Sequence, residues 1–191
     1  MRIVTPIPQP FASVPRRTLW TLGVAVLLLS CARAQSPTAG EYQIKAAFLY
    51  NFAKFVEWPP SSFRDGAAPL QICVLGHDPF GEVLRNITRE KTVNGRKLEV
   101  RQIVDLQLAR ACHILFIASS EKTQLKRVFE TLEGADCLTV GDTDDFIEHG
   151  GMINFVLEND RVQFDVSRKA ADHAGLKISS KLLAVAKVVI G

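Results

Sequence analysis

The chain has 191 residues, 47% of them apolar, and its 23 Lys and Arg against 20 Asp and Glu give a formal charge of +3. Length and apolar content suit one domain with a sizeable core. A charge this close to balance, with no basic run, excludes a protein built to hold nucleic-acid phosphates.

Residues 1–34 read as an export signal. Arg16 and Arg17 form a charged lead, Leu19–Leu29 is an apolar run of eleven residues, and Ala32 and Ala34 put small side chains where signal peptidase inspects them. Cleavage falls before Gln35. The run is well short of the roughly 20 residues a permanent span needs, so the processed protein is expected to be soluble and outside the cytoplasm. A second reading takes Leu28–Cys31 as a lipobox with Cys31 lipidated, and a third takes Arg16 and Arg17 as a twin-arginine export signal. Losing residues 1–34 removes four arginines and no acid, so the +3 becomes −1 for the remaining 157 residues.

Gln35–Gly40 reads as a flexible lead, and the domain is expected to run from Glu41 to Gly191. Its first element is an amphipathic helix over Glu41–Trp58, with Ile44, Phe48, Phe52, Phe55 and Val56 at helical spacing and Pro59 and Pro60 as its stop. Strands follow at Leu70–Gly76, Lys97–Val104, His113–Ala118 and Cys137–Gly141. Helical stretches lie near Gly81–Thr88, Asp105–Arg110 and Glu121–Leu132. Short apolar runs separated by helices predict an α/β domain whose mixed, mainly parallel sheet is flanked by helices in Rossmann-like layers.

The character then changes. Met152–Glu158 and Arg161–Ser167 alternate in hydropathy around Asn159 and Asp160, which predicts an antiparallel hairpin on the sheet edge. Arg168–Ala174 reads as a short helix stopped by Gly175. Ser179 then caps a terminal helix carrying Leu182, Leu183, Val185, Ala186, Val188 and Val189. Such a helix is either buried or an interaction surface.

Beyond the signal lie Cys73, Cys112 and Cys137. In an oxidising compartment, neighbouring strands could bring Cys73 and Cys112 together, while the alternative makes all three small buried hydrophobes. Apolar settings argue against a catalytic thiol.

Gly76 and Gly81 bracket a turn with Asp78 as helix N-cap, not a dinucleotide or phosphate-loop fingerprint, so no cofactor is expected. Asp142, Asp144, Asp145, Glu148 and His149 lack calcium-loop or zinc spacing and read as a solvated turn. An enzymatic reading would need Asp142 and His149 to converge in one pocket. The residues favour binding or regulation over catalysis.

Four segments carry a resemblance: Glu41–Pro59 (EYQIKAAFLYNFAKFVEWP), Leu138–Asp142 (LTVGD), Gly150–Val156 (GGMINFV) and Gly175–Leu183 (GLKISSKLL). In this order they resemble the YfiR family of bacterial periplasmic proteins. The resemblance implies a homodimeric regulator that binds the periplasmic portion of an inner-membrane diguanylate cyclase and represses it, lowering cyclic di-GMP and biofilm formation. The alternative is a periplasmic small-ligand sensor acting on another receptor, such as a histidine kinase.

The resemblance also implies a disulfide between Cys73 and Cys112. It implies a second disulfide near Asp142–Asn154, for which this chain has no cysteines. The partner contact is expected near Ile153, Asp165 and Lys187. Lys45, Asn51, Glu57 and Trp58 are hallmarks of the first helix, whose aromatic patch is a place for a small ligand.

Overall fold

The structure, a computed structural model, describes residues 37–191. The expected signal, its cleavage site and the Cys31 lipobox lie outside the described residues. Helix α1 spans Pro37–Phe55, so it begins inside the segment expected to be a flexible lead. Its buried stripe is Lys45, Ala46, Leu49, Phe52 and Ala53, a spacing of three and four that turns one face to the sheet. Ile44 falls off that stripe and is 47% exposed, contrary to its expected place on the apolar face. The chain leaves α1 through the short strand β1 (Val56–Glu57), and Pro59 and Pro60 then open a single 3-10 turn at Pro60–Ser62.

The central sheet is built from β2 (Leu70–Leu75), β3 (Thr92–Val93), β4 (Arg96–Ile103), β5 (Ile114–Ile117), β6 (Leu138–Gly141), β7 (Ile153–Glu158), β8 (Arg161–Ser167) and β10 (Val188–Ile190). Between them lie α2 (Glu82–Thr88), α3 (Leu125–Leu132), α4 (Arg168–His173) and α5 (Ser180–Leu183). The strand order is β10-β8-β7-β6-β5-β2-β4-β3. Strands β4, β2, β5, β6 and β7 are mutually parallel, β8 returns antiparallel to β7, and β10 is parallel to β8. A separate antiparallel pair joins β1 to β9 (Lys177–Ile178), with Val56 opposite Ile178.

Alternation along each strand divides the core in two. One face sends Ile72, Val74, Ile114, Phe116, Leu138 and Val140 toward α1 and α2. The other sends Cys73, Leu75, Leu115, Ile117 and Cys137 toward Leu125, Val128 and Leu132 of α3 and toward Phe146. The Phe146 ring lies so close over Gly141 and Gly151 that a Cβ on either would clash with it.

Three local expectations change. The helix expected to be capped by Asp78 starts at Glu82 with Gly81 as its cap, while Asp78 Oδ1 accepts from the Phe80 and Gly81 amides within the preceding turn. The stretch expected to be helical at Asp105–Arg110 is a 3-10 turn over Leu106–Ala111, with Asp105 accepting from the Gln107 amide. Asn94 and Gly95, both at positive φ, make a tight turn joining β3 to β4, a hairpin absent from the sequence reading.

The expected terminal helix is also corrected. Ser179 does cap α5, accepting from the Leu182 amide, but α5 ends at Leu183 and Val188–Ile190 form a strand instead. β-Branched residues lose rotamer freedom in a helix and fit a pleated surface, which is why Val188, Val189 and Ile190 extend. The β7–β8 hairpin is consequently not the edge: β10 covers β8 and is itself the last strand.

Candidate functional site

The carboxyl ends of a wound parallel sheet are where such folds offer a ligand crevice. Here that end carries a buried ionic node. Lys45, only 4% exposed, places Nζ 2.7 Å from Asp142 Oδ2 just past β6 and also pairs with Glu41 one helical turn away. The Tyr42 hydroxyl donates to the same Asp142 oxygen at 2.8 Å, and Lys45 Nζ sits 4.4 Å from the Tyr42 ring centroid. Burial first, and then the Asp142 carboxylate, push the Tyr42 hydroxyl well above its ordinary range. Phe80 fills the space beside them, edge-on to Tyr42 and Phe116. This node fastens α1 to the sheet.

The other members of the acidic cluster point elsewhere. Asp144 pairs with Lys122 at 3.3 Å, and the His149 ring lies 2.6 Å from the Asp145 carbonyl. Asp142 and His149 therefore have separate partners.

Cys73 and Cys112 are joined by a disulfide with their Cα atoms 5.9 Å apart. Cys73 lies in β2, Cys112 precedes β5, and the two strands are neighbours, so the bond crosses adjacent rungs of the buried face. Cys137 is a free thiol just before β6, and burial pushes it up to about 12.

His113 anchors an aromatic cluster at the opposite end of the sheet. Its Nδ1 accepts from the Gln71 amide at 3.0 Å, and its Nε2–H donates to the Ser62 carbonyl at 3.1 Å. Phe63 stacks on the imidazole at 4.3 Å, Arg96 lies 3.8 Å over Phe63, and Trp58 Nε1 donates to the His113 carbonyl. Burial, with Arg96 adding to it, holds His113 below its ordinary range. A cavity of about 370 Å³ opens beside Trp58, Phe63 and Arg96.

The residues expected at a partner contact gather at one place in the sheet but on different sides of it. Ile153 faces Val166 across β7 and β8 and is 0% exposed, packed in the same core as α1. It is a core residue. Asp165 lies on the opposite face, between Asn154 of β7 and Val188 of β10. Lys187 enters β10 by donating its amide to the Phe164 carbonyl, and its Nζ reaches Glu158 at 3.2 Å.

Burial pushes the Asp165 carboxyl up, and the Lys187 charge opposes that. Asp165 Oδ1, Asn154 Oδ1 and Gln163 Oε1 are buried without a hydrogen-bond partner in the protein. Beyond them, Val188, Val189 and Ile190 of the edge strand are 43–45% exposed, with Val185 and Leu157 also exposed. Sequence reasoning named Val185, Val188 and Val189 as a buried or interacting surface but put them on a helix, and so missed the edge strand. The β-branched density of Val185–Ile190 is the signal that could have revealed it.

The YfiR/HmsC-like family profile matches residues 42–187, from the buried node on α1 to the entry of β10. The chain belongs to the YfiR/HmsC-like family. No curated protein matches it. Among solved structures, this YfiR/HmsC-like chain is similar to a conserved domain protein from Vibrio cholerae at 11% identity and a TM-score of 0.55. That match covers 78% of this chain and 60% of the Vibrio chain. A weaker similarity, at 11% identity and a TM-score of 0.46, is to the ABC domain from Streptococcus pneumonia in complex with L-Trp, covering 63% of this chain and 55% of that one. The Vibrio likeness supports the fold alone. Among the described residues, no helix is long and apolar enough to cross a membrane.

Proposed function

We propose that this protein works in the periplasm, where as a homodimer it binds the outer portion of an inner-membrane diguanylate cyclase and holds it inactive. Cytoplasmic cyclic di-GMP and biofilm formation fall as a result. The observation that carries this reading is the family match over residues 42–187, since the family regulates such cyclases from the periplasm. The export features of residues 1–34 agree with that compartment, as does the Cys73–Cys112 bond, because disulfides persist where the surroundings oxidise.

In this reading the contact surface is the β10 edge with Asp165 and Lys187 beside it. A terminal strand presents unpaired backbone groups that can accept an added strand, and its exposed valines supply apolar area. Ile153 contributes from beneath, by holding β7 against the core.

Deleting the gene is expected to raise cellular cyclic di-GMP and biofilm, and restoring it to reverse both. A restored copy carrying Lys187→Glu is expected to be exported and folded yet to leave cyclic di-GMP high. No change on deletion, with the protein demonstrably exported, overturns the cyclase reading. It would favour a small-ligand sensor for another receptor, for which the aromatic cavity beside Trp58 is the supporting feature.

A further inference from the structure

A second, larger cavity of about 820 Å³ lies between α3, the segment after β6 and α4, on the opposite face of the sheet from α1 and its Lys45 node. Its size falls within the roughly 300–1,000 Å³ usual for small-molecule sites. Phe129, Leu132, Cys137, Ile147, Ala170 and Ala174 make its wall largely apolar. Its charged lining residues, Glu130, Glu133, Lys169 and His173, are all exposed and therefore mark the mouth.

Two hydroxyls line the depth. Thr139 and Ser167 are 2% and 6% exposed. Thr139 Oγ1 accepts from the Met152 amide at 3.1 Å, and Ser167 Oγ accepts from the Ala170 amide at 3.3 Å. Each oxygen thus has a fixed donor while its own proton is free to be given away, and among the described residues neither hydroxyl donates to the protein. They stand on either side of Met152, whose carbonyl accepts from the Ser167 amide at 2.7 Å. The register puts Met152 between them, so each hydroxyl is a separate donor at the bottom of an apolar cavity and matches a neutral acceptor oxygen, which a carbonyl supplies.

The charge arrangement sharpens the class. A carboxylate placed at that depth would be stripped of water with no buried cation to meet it, a costly arrangement. The cations Lys169 and His173 stand at the mouth beside two glutamates, which oppose an anion there as well. We propose that this cavity binds a neutral, mainly apolar molecule that presents a carbonyl oxygen, as in a lipophilic ketone, ester or amide, to the hydroxyl of Thr139. Such a site gives the regulator an input beside the β10 edge, since Ser167 is the strand partner of Ile190.

The test uses the processed full chain and 2-decanone labelled with ¹³C at the carbonyl, with n-decane and decanoate as comparators. Saturable binding of the ketone is expected, with its carbonyl resonance moved downfield by hydrogen bonding. Ala170→Trp and Ala174→Trp, each placing an indole in the cavity, are expected to weaken binding about tenfold or more, equivalent to about 1.4 kcal/mol. Thr139→Val should lower affinity about fivefold and return the resonance upfield, as loss of one neutral hydrogen bond predicts, and Thr139→Ser should keep both. Absence of saturable ketone binding to the wild type overturns the site, as does undiminished binding to both tryptophan variants with unaltered circular dichroism. Tighter binding of decanoate than of the ketone overturns the ligand class.

Discussion

Lys45 is the residue on which the most rests. It is a buried cation held by two carboxylates and a ring, and its removal leaves Asp142 charged and buried with the Tyr42 hydroxyl but no cation to meet it. Lys45→Met is expected to destabilise the fold by about 3–5 kcal/mol, measured by urea denaturation, whereas replacing Lys45 and Asp142 together by apolar residues should recover much of that loss. His113 sets a pH dependence. Its Nδ1 is committed as an acceptor, and burial holds its folded value below the 6.5 of the unfolded chain. A depressed value means that the stabilisation is complete above about pH 6.5 and lost as pH falls through the folded value. Thermal melts should therefore show the wild type losing more on acidification from neutral pH than His113→Gln does. At this scale the sequence was only partly legible. Alternation correctly placed Ile153, Phe155 and Leu157 on one face, but it cannot say what covers that face. Phe48 and Phe52 of α1 pack on Phe155, leaving Ile153 sealed and Leu157 exposed.

Among elements, the apolar runs that became β2, β5 and β6 were plain, because strands buried on both faces admit little else. Their adjacency made the Cys73–Cys112 bond possible, which strand-length patterns alone left as one of two readings. The loop it closes spans 39 residues, and by loop-closure entropy Cys73→Ala with Cys112→Ala should lower stability by about 4 kcal/mol. Matched thermal melts with and without reductant check this: the wild type should fall toward the variant, and the variant should not respond. β3 and β10 were missed for different reasons. The Asn94–Gly95 turn is a hairpin signal, but the strand before it, Thr92–Val93, is too short to show alternation. The run after α5 is apolar enough to read as either structure, and only pairing with β8 decides it. Asp78 was misread as a helix cap because an aspartate bonding two following amides looks alike in a turn and at a helix start.

For the molecule as a whole, the winding of the four parallel strands β2, β4, β5 and β6 was legible from the alternation of runs and helices, while the parallel addition of β7 and the closure of the ends were not. Val56 lies opposite Ile178, and Ser179 donates its amide to the Phe55 carbonyl, so the first helix is secured by residues more than a hundred positions away. Long-range pairings of this kind leave no local trace in composition. They also carry a temporal consequence. A protein is synthesised from its amino end, so α1 must wait, its aromatic face unprotected, until almost the entire chain has been delivered. Chains trimmed before Lys177 should lose amide-exchange protection in α1 as well as at the cut end, whereas trimming after Ala186 should leave α1 protected. The interval between the making of that helix and the arrival of β9 is when this chain most needs an escort.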